Sequence, residues 1–222
     1  MDDKAPRRTR VVGDESVESG RGPGQLPWYE FAATIIRGKT VLDAGCGLGL
    51  GLEILRRSNK QVSGQDLDPR LERPGIVIAP LASIATGSYD AVTCVDVIEH
   101  VEDDKSFVAE LCRVAREVVF VTTPNWTITR CQWPYHIREY TPQELEELFK
   151  PFGSVALFKG NSSGSIVYPV RHARLYHIAN AMRYGRYSSF ITRCLNKPMP
   201  ATWRIHGHNA ALINLGKRSG KS

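Results

Sequence analysis

Two aspartates bracket a glycine-rich turn in this chain, and their spacing limits what could bind there. The stretch Val41-Leu42-Asp43-Ala44-Gly45-Cys46-Gly47-Leu48-Gly49 places three alternate glycines after a β-rich run from Lys39 to Asp43. The helical pattern that follows sets Leu52 and Leu55 on one face, with Ile54 beside them. Strand, tight turn and helix N-terminus is an arrangement in which a ligand can press against the backbone. A second β-run, starting at Gln61, ends in Asp66, where a carboxylate can accept both hydroxyls of a ribose. A pyrophosphate is the usual guest of such a loop. Asp43 would repel one and suits a ligand with a cationic amino group and no phosphate. An ordinary Rossmann turn with no ligand, or a nicotinamide site, is the alternative.

A second group of reactive side chains follows the apolar run Ala91-Val92-Thr93-Cys94-Val95, where Asp96-Val97-Ile98-Glu99-His100 stands. The intrinsic pKa of an imidazole suits His100 to general-base work. A histidine that caps the next helix or packs against the loop is the alternative. If the stretch is helical, spacings of three and four residues bring Asp96, Glu99 and His100 to one face. Two carboxylates and an imidazole suit a divalent cation such as Mg²⁺.

The elements that must carry these groups alternate. Pro27 opens a short helix that packs Phe31 and Ile35 on a sheet. After Asp66 only Leu71-Glu72-Arg73-Pro74-Gly75 precedes the third strand, Ile76–Ala79, so the crossover helix there is short or absent. The run 91–95 is the fourth strand, buried on both faces. A helix from about Asp103 to Arg116 follows, with Phe107, Leu111 and Val114 at helical spacing, and then the fifth strand, Val118–Val121. Seventeen residues, Pro124 to Tyr140, separate that strand from the next helix, and they include Trp126, Trp133, Tyr135, His136 and Arg138. Loops of this length inside compact domains are commonly functional. Thr141, Pro142 and Glu144 spell a capped helix start. The sixth strand is expected near Ser154–Phe158 and the last at Asn209–Leu215. A helix over Val170–Arg186 between them would turn Leu175, Ile178 and Met182 toward the sheet or a membrane, with Arg171 and Arg174 outward. Alternation of this kind implies a mostly parallel sheet with ligand at the strands' C-terminal ends.

An acid, a small residue and Gly-x-Gly-x-Gly, followed by a strand ending in an acid, resembles the first motif of the class I S-adenosylmethionine-dependent methyltransferases. Asp43, Gly45, Gly47, Gly49 and Asp66 match it, and Tyr89-Asp90 before the fourth strand agrees. The resemblance spans roughly residues 39–150. It implies a Rossmann-like α/β fold with a central seven-stranded, mostly parallel sheet, helices on both faces and a seventh strand inserted antiparallel. It also implies a substrate-lid insert, residues 160–206, before the last strand. It gives S-adenosylmethionine as the cofactor, with Asp43 and the glycines at its methionine end and Asp66 at the ribose. By position, Leu67 and Leu81 would sandwich the adenine and Asp96 would join the cofactor site.

Asp96-x-x-Glu99-His100 further resembles Glu-x-x-Glu-His of the UbiG-like quinone O-methyltransferases. It is also similar to small-RNA 3′-terminal 2′-O-methyltransferases, which add a histidine after Thr-Pro-Asn; Thr123-Pro124-Asn125 and His136 match here. Asp for Glu shortens one ligand by a methylene. The resemblance thus implies His100 and His136 as catalytic residues and Asp96, Glu99 and His100, with His136, as a metal set. His136-Ile137-Arg138-Glu139-Tyr140-Thr141 is similar to bacterial small-molecule and glycan methyltransferases.

The chain's 222 residues, 42% hydrophobic, suit one domain over 27–222 behind a flexible polar arm, 1–26. No apolar run reaches the ~18 residues of a membrane span, and no secretory signal pattern opens the chain. Five scattered cysteines without a Cys-x-x-Cys pair fit a reducing cytoplasm. Residues 151–222 hold eleven Lys and Arg and no acid, whereas the first 150 carry 18 basic and 23 acidic groups. That segregation suggests an anionic partner: a phosphorylated substrate, a lipid headgroup, a membrane face or RNA. A solvated basic face beside an acidic body is the alternative.

The expected function is O-methylation of a small molecule or a phosphate- or lipid-linked sugar, with peripheral membrane contact through the basic third. An RNA ribose 2′-O-methyltransferase is the runner-up, against which the basic third lacks a recognisable RNA module. A non-catalytic S-adenosylmethionine-binding protein is the third reading.

Overall fold

The computed structural model describes residues 25–181 and 188–216. The expected arm therefore lies almost wholly outside the described residues, as do Met182 and the end of the helix expected at 170–186.

The sheet has eight strands in the order β3-β2-β1-β4-β5-β8-β6-β7. These are β1 (Thr40–Ala44), β2 (Gln61–Asp66), β3 (Ile76–Ile78), β4 (Tyr89–Val95), β5 (Ala115–Pro124), β6 (Gly153–Gly160), β7 (Val167–Pro169) and β8 (His208–Leu215). The first five pair in parallel. β8 enters antiparallel between β5 and β6, as expected. The eighth strand is a correction to the expected seven: β7 folds back from β6 as a short antiparallel edge inside the insert. Between β2 and β3 the chain makes one 3-10 turn, Pro69–Leu71, in place of a crossover helix.

Helices cover both faces. α1 (Leu26–Ile35) and α2 (Leu50–Arg56) bury Trp28, Tyr29, Ala32, Leu52 and Leu55 against one side. α3 (Asp104–Val114) and α5 (Pro142–Phe149) bury Val108, Leu111, Leu145 and Phe149 against the other. β4 and β5 lie between these two cores, which is why Ala91–Val95 reads as an unbroken apolar run. α3 ends at Val114, two residues before its expected end, because Ala115 already pairs with Tyr89 in the sheet. α5 carries the capping box read from Thr141 and Glu144.

The 124–140 segment contains one helical turn, α4 (Trp126–Thr129). The insert holds α6 (Ala173–Ala181) and α7 (Ser188–Asn196) rather than one continuous helix to Arg186. The inner face of α6 is Tyr176 and Asn180, not Leu175 and Ile178, which are exposed. Periodicity identified this helix but not its inward side, because polar residues there find specific partners. His177 bonds Glu146 on α5 at 2.6 Å, and Tyr176 lies over the buried Lys159 ammonium. No helix among the described residues is long and apolar enough to cross a membrane.

Candidate active site

The C-terminal ends of β1, β2 and β4 converge on the glycine loop. Gly45, Gly47 and Gly49 all have positive φ (70°, 54° and 74°), which a side chain would disfavour. A Cβ at Gly45 would come within 2.7 Å of the Val97 methyl groups, so the loop packs directly on the turn that follows β4. The Gly45 and Cys46 amides both donate to the Gln65 carbonyl, and the Gly47 amide donates to Asp66 Oδ2 at 2.9 Å. Asp66 Oδ1 accepts from the Leu67 amide. These bonds tie the loop to the end of β2.

Asp43 is placed differently from the sequence expectation. It is fully buried beneath the loop, where Oδ2 accepts from the Tyr29 hydroxyl at 2.9 Å and Oδ1 from Thr93 at 2.8 Å. Its carboxylate is held by α1 and β4 through these two hydroxyls. Of the two leucines expected around an adenine, Leu67 is 68% exposed beside Asp66. Leu81 is buried in the core with Val92 and Ile98, and this corrects its expected role.

Asp66→Ala tests the expected ribose contact, since it would remove the acceptor for two hydroxyls. A charge-assisted bond is worth roughly 1.5–3 kcal/mol, so affinity for S-adenosylhomocysteine falls about tenfold to a hundredfold. Calorimetry on the folded variant checks this, and an unchanged affinity would remove Asp66 from the site.

Beyond Val97 the chain forms a 3-10 turn, Ile98–His100, not the α-helix that would align Asp96 with Glu99 and His100. Asp96 takes φ 51°, a strained conformation for a residue with a Cβ. Its carboxylate is turned to other partners: Thr122 Oγ1 at 2.6 Å, Gln25 Nε2 at 2.8 Å and His208 Nε2 at 3.2 Å. Asp96 is thus not part of the metal set expected for it.

Among the described residues, Glu99, His100 and His136 instead bring one ligand atom each within 4.8 Å of one another. The long loop makes this possible. The Ile137 and Arg138 amides both donate to the Glu99 carbonyl, at 2.8 and 3.2 Å, which pins His136 over the turn. The two imidazoles lie edge to face with centroids 4.9 Å apart.

Each histidine is oriented by its Nδ1. His100 Nδ1–H donates to the Tyr135 carbonyl at 2.9 Å, and His136 Nδ1–H donates to Glu139 Oε1 at 2.6 Å. These contacts assign the proton to Nδ1 and make Nε2 the basic nitrogen on both rings. Burial would raise the Glu139 carboxyl's pKa. Hydrogen bonds from His136, Thr129 and the Cys131 amide outweigh burial and hold it below the usual range. Glu99 is the opposite case: burial pushes its carboxyl well above the usual range, and the neighbouring Asp96 carboxylate adds to the shift. Glu99 Oε2 accepts from Thr123, while Oε1 is buried with no hydrogen-bond partner. An orphaned carboxylate oxygen beside two basic imidazole nitrogens fits a divalent cation.

These groups line a cavity of about 1130 Å³, together with Asp96, His208 and Arg193, Lys197 and Arg204 from the insert. Arg171 and Arg174 are exposed and do not line it. His208 was not legible as a site residue. It opens β8, 112 residues from Asp96, and only the antiparallel pairing of β8 with β5 brings it there.

Comparisons with known proteins agree with this fold. Residues 27–155 match the methyltransferase-domain family. A ubiquinone biosynthesis O-methyltransferase of Bordetella parapertussis is 33% identical over 118 residues, covering 45% of this chain and 49% of that protein. A protein of Mycolicibacterium smegmatis described as an S-adenosylmethionine-dependent methyltransferase is 35% identical over 143 residues, covering 56% and 55%. The chain thus spans about half the length of the curated relatives it matches. Among solved structures, an Archaeoglobus fulgidus S-adenosylmethionine-dependent methyltransferase superposes with TM-score 0.58 at 17% identity, covering 89% and 96% of the two chains. Magnesium protoporphyrin IX methyltransferase from Synechocystis, solved with S-adenosylmethionine bound, gives 0.55 at 15% identity, covering 95% and 90%. Glycine loop, strand order and sequence matches lead to one assignment: the chain belongs to the class I S-adenosylmethionine-dependent methyltransferases.

Proposed function

We infer that the chain transfers the methyl group of S-adenosylmethionine to an oxygen of a small anionic acceptor, of the small-molecule or glycan class. The observation that carries this reading is the Glu99, His100 and His136 cluster, lying in a cavity that Asp96 also lines, one residue before the Val97 against which Gly45 packs. The cofactor supplies an electrophilic methyl on a sulfonium. The chain must hold the acceptor oxygen in line with it and leave that oxygen deprotonated. Positioning of this kind contributes several kcal/mol.

The protein's own groups divide the work. The glycine loop and Asp66 bind and orient the cofactor, over the buried negative charge of Asp43. His100 and His136, with Nε2 as the basic nitrogen, can take the acceptor's proton or hold a cation. Glu99, His100 and His136 would hold a divalent ion, which when bound lowers the pKa of an oxygen near it. Ring orientation comes from the Tyr135 carbonyl and from Glu139. Arg193, Lys197 and Arg204 supply positive charge on the wall of the same cavity, which favours an acceptor with a phosphate or carboxylate. Arg171 and Arg174, exposed and outside this wall, are not among these charges. The oxygen preference also rests on the similarity to O-methyltransferases.

Labelling a cell lysate with methyl-labelled cofactor and the purified chain tests the reading. The label should appear in a small anionic product that resists ribonuclease. Arg193→Gln with Lys197→Gln should lower the labelling and its sensitivity to salt, with cofactor affinity unchanged. Ribonuclease-sensitive label would replace the acceptor class with RNA.

A further inference from the structure

α6 and α7 are mounted with their polar sides in and their apolar sides out. On α6, Tyr176 and Asn180 face inward, and His177 is bonded to Glu146. Leu175, 66% exposed, and Ile178 face solvent. On α7, Thr192 is buried, and Asn196 exchanges hydrogen bonds with the backbone of Ile205 in both directions. Phe190, 68% exposed, Ile191 and Leu195 form the outward side of the same helix. Trp203, in the 3-10 turn after α7, is 76% exposed. The polar bonds fix which side of each helix points out, so rotation cannot bury the apolar side. Consecutive helices built this way need an apolar partner.

The charges identify that partner. Arg171, Arg174, Arg193 and Lys197 are exposed on or beside these helices, and no Asp or Glu occurs after residue 150. A second copy of the chain would set this face against itself and bring like charges together. An anionic bilayer satisfies both features: apolar side chains enter the headgroup boundary and cations meet lipid phosphates.

We propose that the outward faces of α6 and α7, with Trp203, dock the protein on anionic membrane surfaces. α7 and the residue that follows it contribute Arg193 and Lys197 to the cavity wall, so docking sets that wall of the cavity near the lipid surface. The docking does not depend on the proposed methyl transfer, and its test needs no acceptor.

The full chain should co-sediment with vesicles containing phosphatidylglycerol and not with pure phosphatidylcholine, and added salt should weaken the association. Phe190→Ser with Leu195→Ser should reduce it by about tenfold or more, leaving affinity for S-adenosylhomocysteine unchanged. Arg171→Gln with Arg174→Gln gives a second route to the same loss should the apolar variant not fold. A wild-type chain that ignores phosphatidylglycerol vesicles overturns the proposal. So do folded variants that bind as wild type does. A wild-type dimer dispersed by the Phe190 and Leu195 substitutions would assign the face to self-association instead.

Discussion

Gly45→Ala should lower affinity for S-adenosylhomocysteine by about 100-fold, equivalent to roughly 2.7 kcal/mol. Two penalties act at this position. At φ 70° an alanine is strained, by about 1–2 kcal/mol. Its Cβ would also sit 2.7 and 2.8 Å from the two Val97 methyl groups, an overpacking that typically costs about 1–3 kcal/mol. Val97 follows Asp96 at the end of β4, and the Gly45 amide is fixed to Gln65. The loop can relieve the clash only by leaving the position in which it meets the ligand. Gly38→Ala is the control. Gly38 also has positive φ, 67°, but nothing lies within 4 Å of its Cβ position. It should lose stability from the dihedral and keep its cofactor affinity. Equal affinity losses in the two variants, read by calorimetry, would mean that backbone strain alone acts and that the loop is not a ligand bed.

Chelation should have the other large effect. EDTA should reduce methyl transfer to the lysate acceptor by about 10²–10⁴-fold, and a divalent ion should restore it. His136→Ala should cause a similar loss that added ion does not repair. It removes one of the three proposed ligands and leaves Glu139 buried with its His136 hydrogen bond gone. If His100 acts as a base alone, activity survives EDTA and falls on His100→Ala. Full activity in both experiments would remove both roles.

The glycine-loop half of the candidate site was legible because its signal is local. Asp43, the alternate glycines and Asp66 lie on adjacent strands joined by one helix, so their spacing fixes their relation. Even there, spacing did not show that Asp43 faces Tyr29 and Thr93 from below, since that depends on α1 and β4. The acceptor half was legible only in part. Glu99 and His100 stood out, but grouping Asp96 with them required an α-helix at this point, and the chain makes a 3-10 turn there. The left-handed backbone of Asp96 instead directs it to Thr122 and His208. His136 came from resemblance rather than spacing, since two amide bonds to the Glu99 carbonyl, not sequence proximity, bring it to His100. His208 gave no signal beyond a lone histidine at the start of an apolar run. Of the two settings open to Leu175 and Ile178, sheet or membrane, the sheet is excluded because Asn180, His177 and Asn196 turn inward to specific bonds, which a hydrophobic pattern cannot anticipate.

The claim that Glu99, His100 and His136 form a cation centre beside the cofactor is tested most directly by titrating the chain with divalent ions in a calorimeter, with S-adenosylhomocysteine present. One ion should bind per wild-type chain. Glu99→Gln should lose that binding while its affinity for S-adenosylhomocysteine stays within about twofold of wild type, less than the tenfold that roughly 1.4 kcal/mol represents. Wild-type and Glu99→Gln chains that take up ions alike, or a wild type that takes up none, would contradict the account.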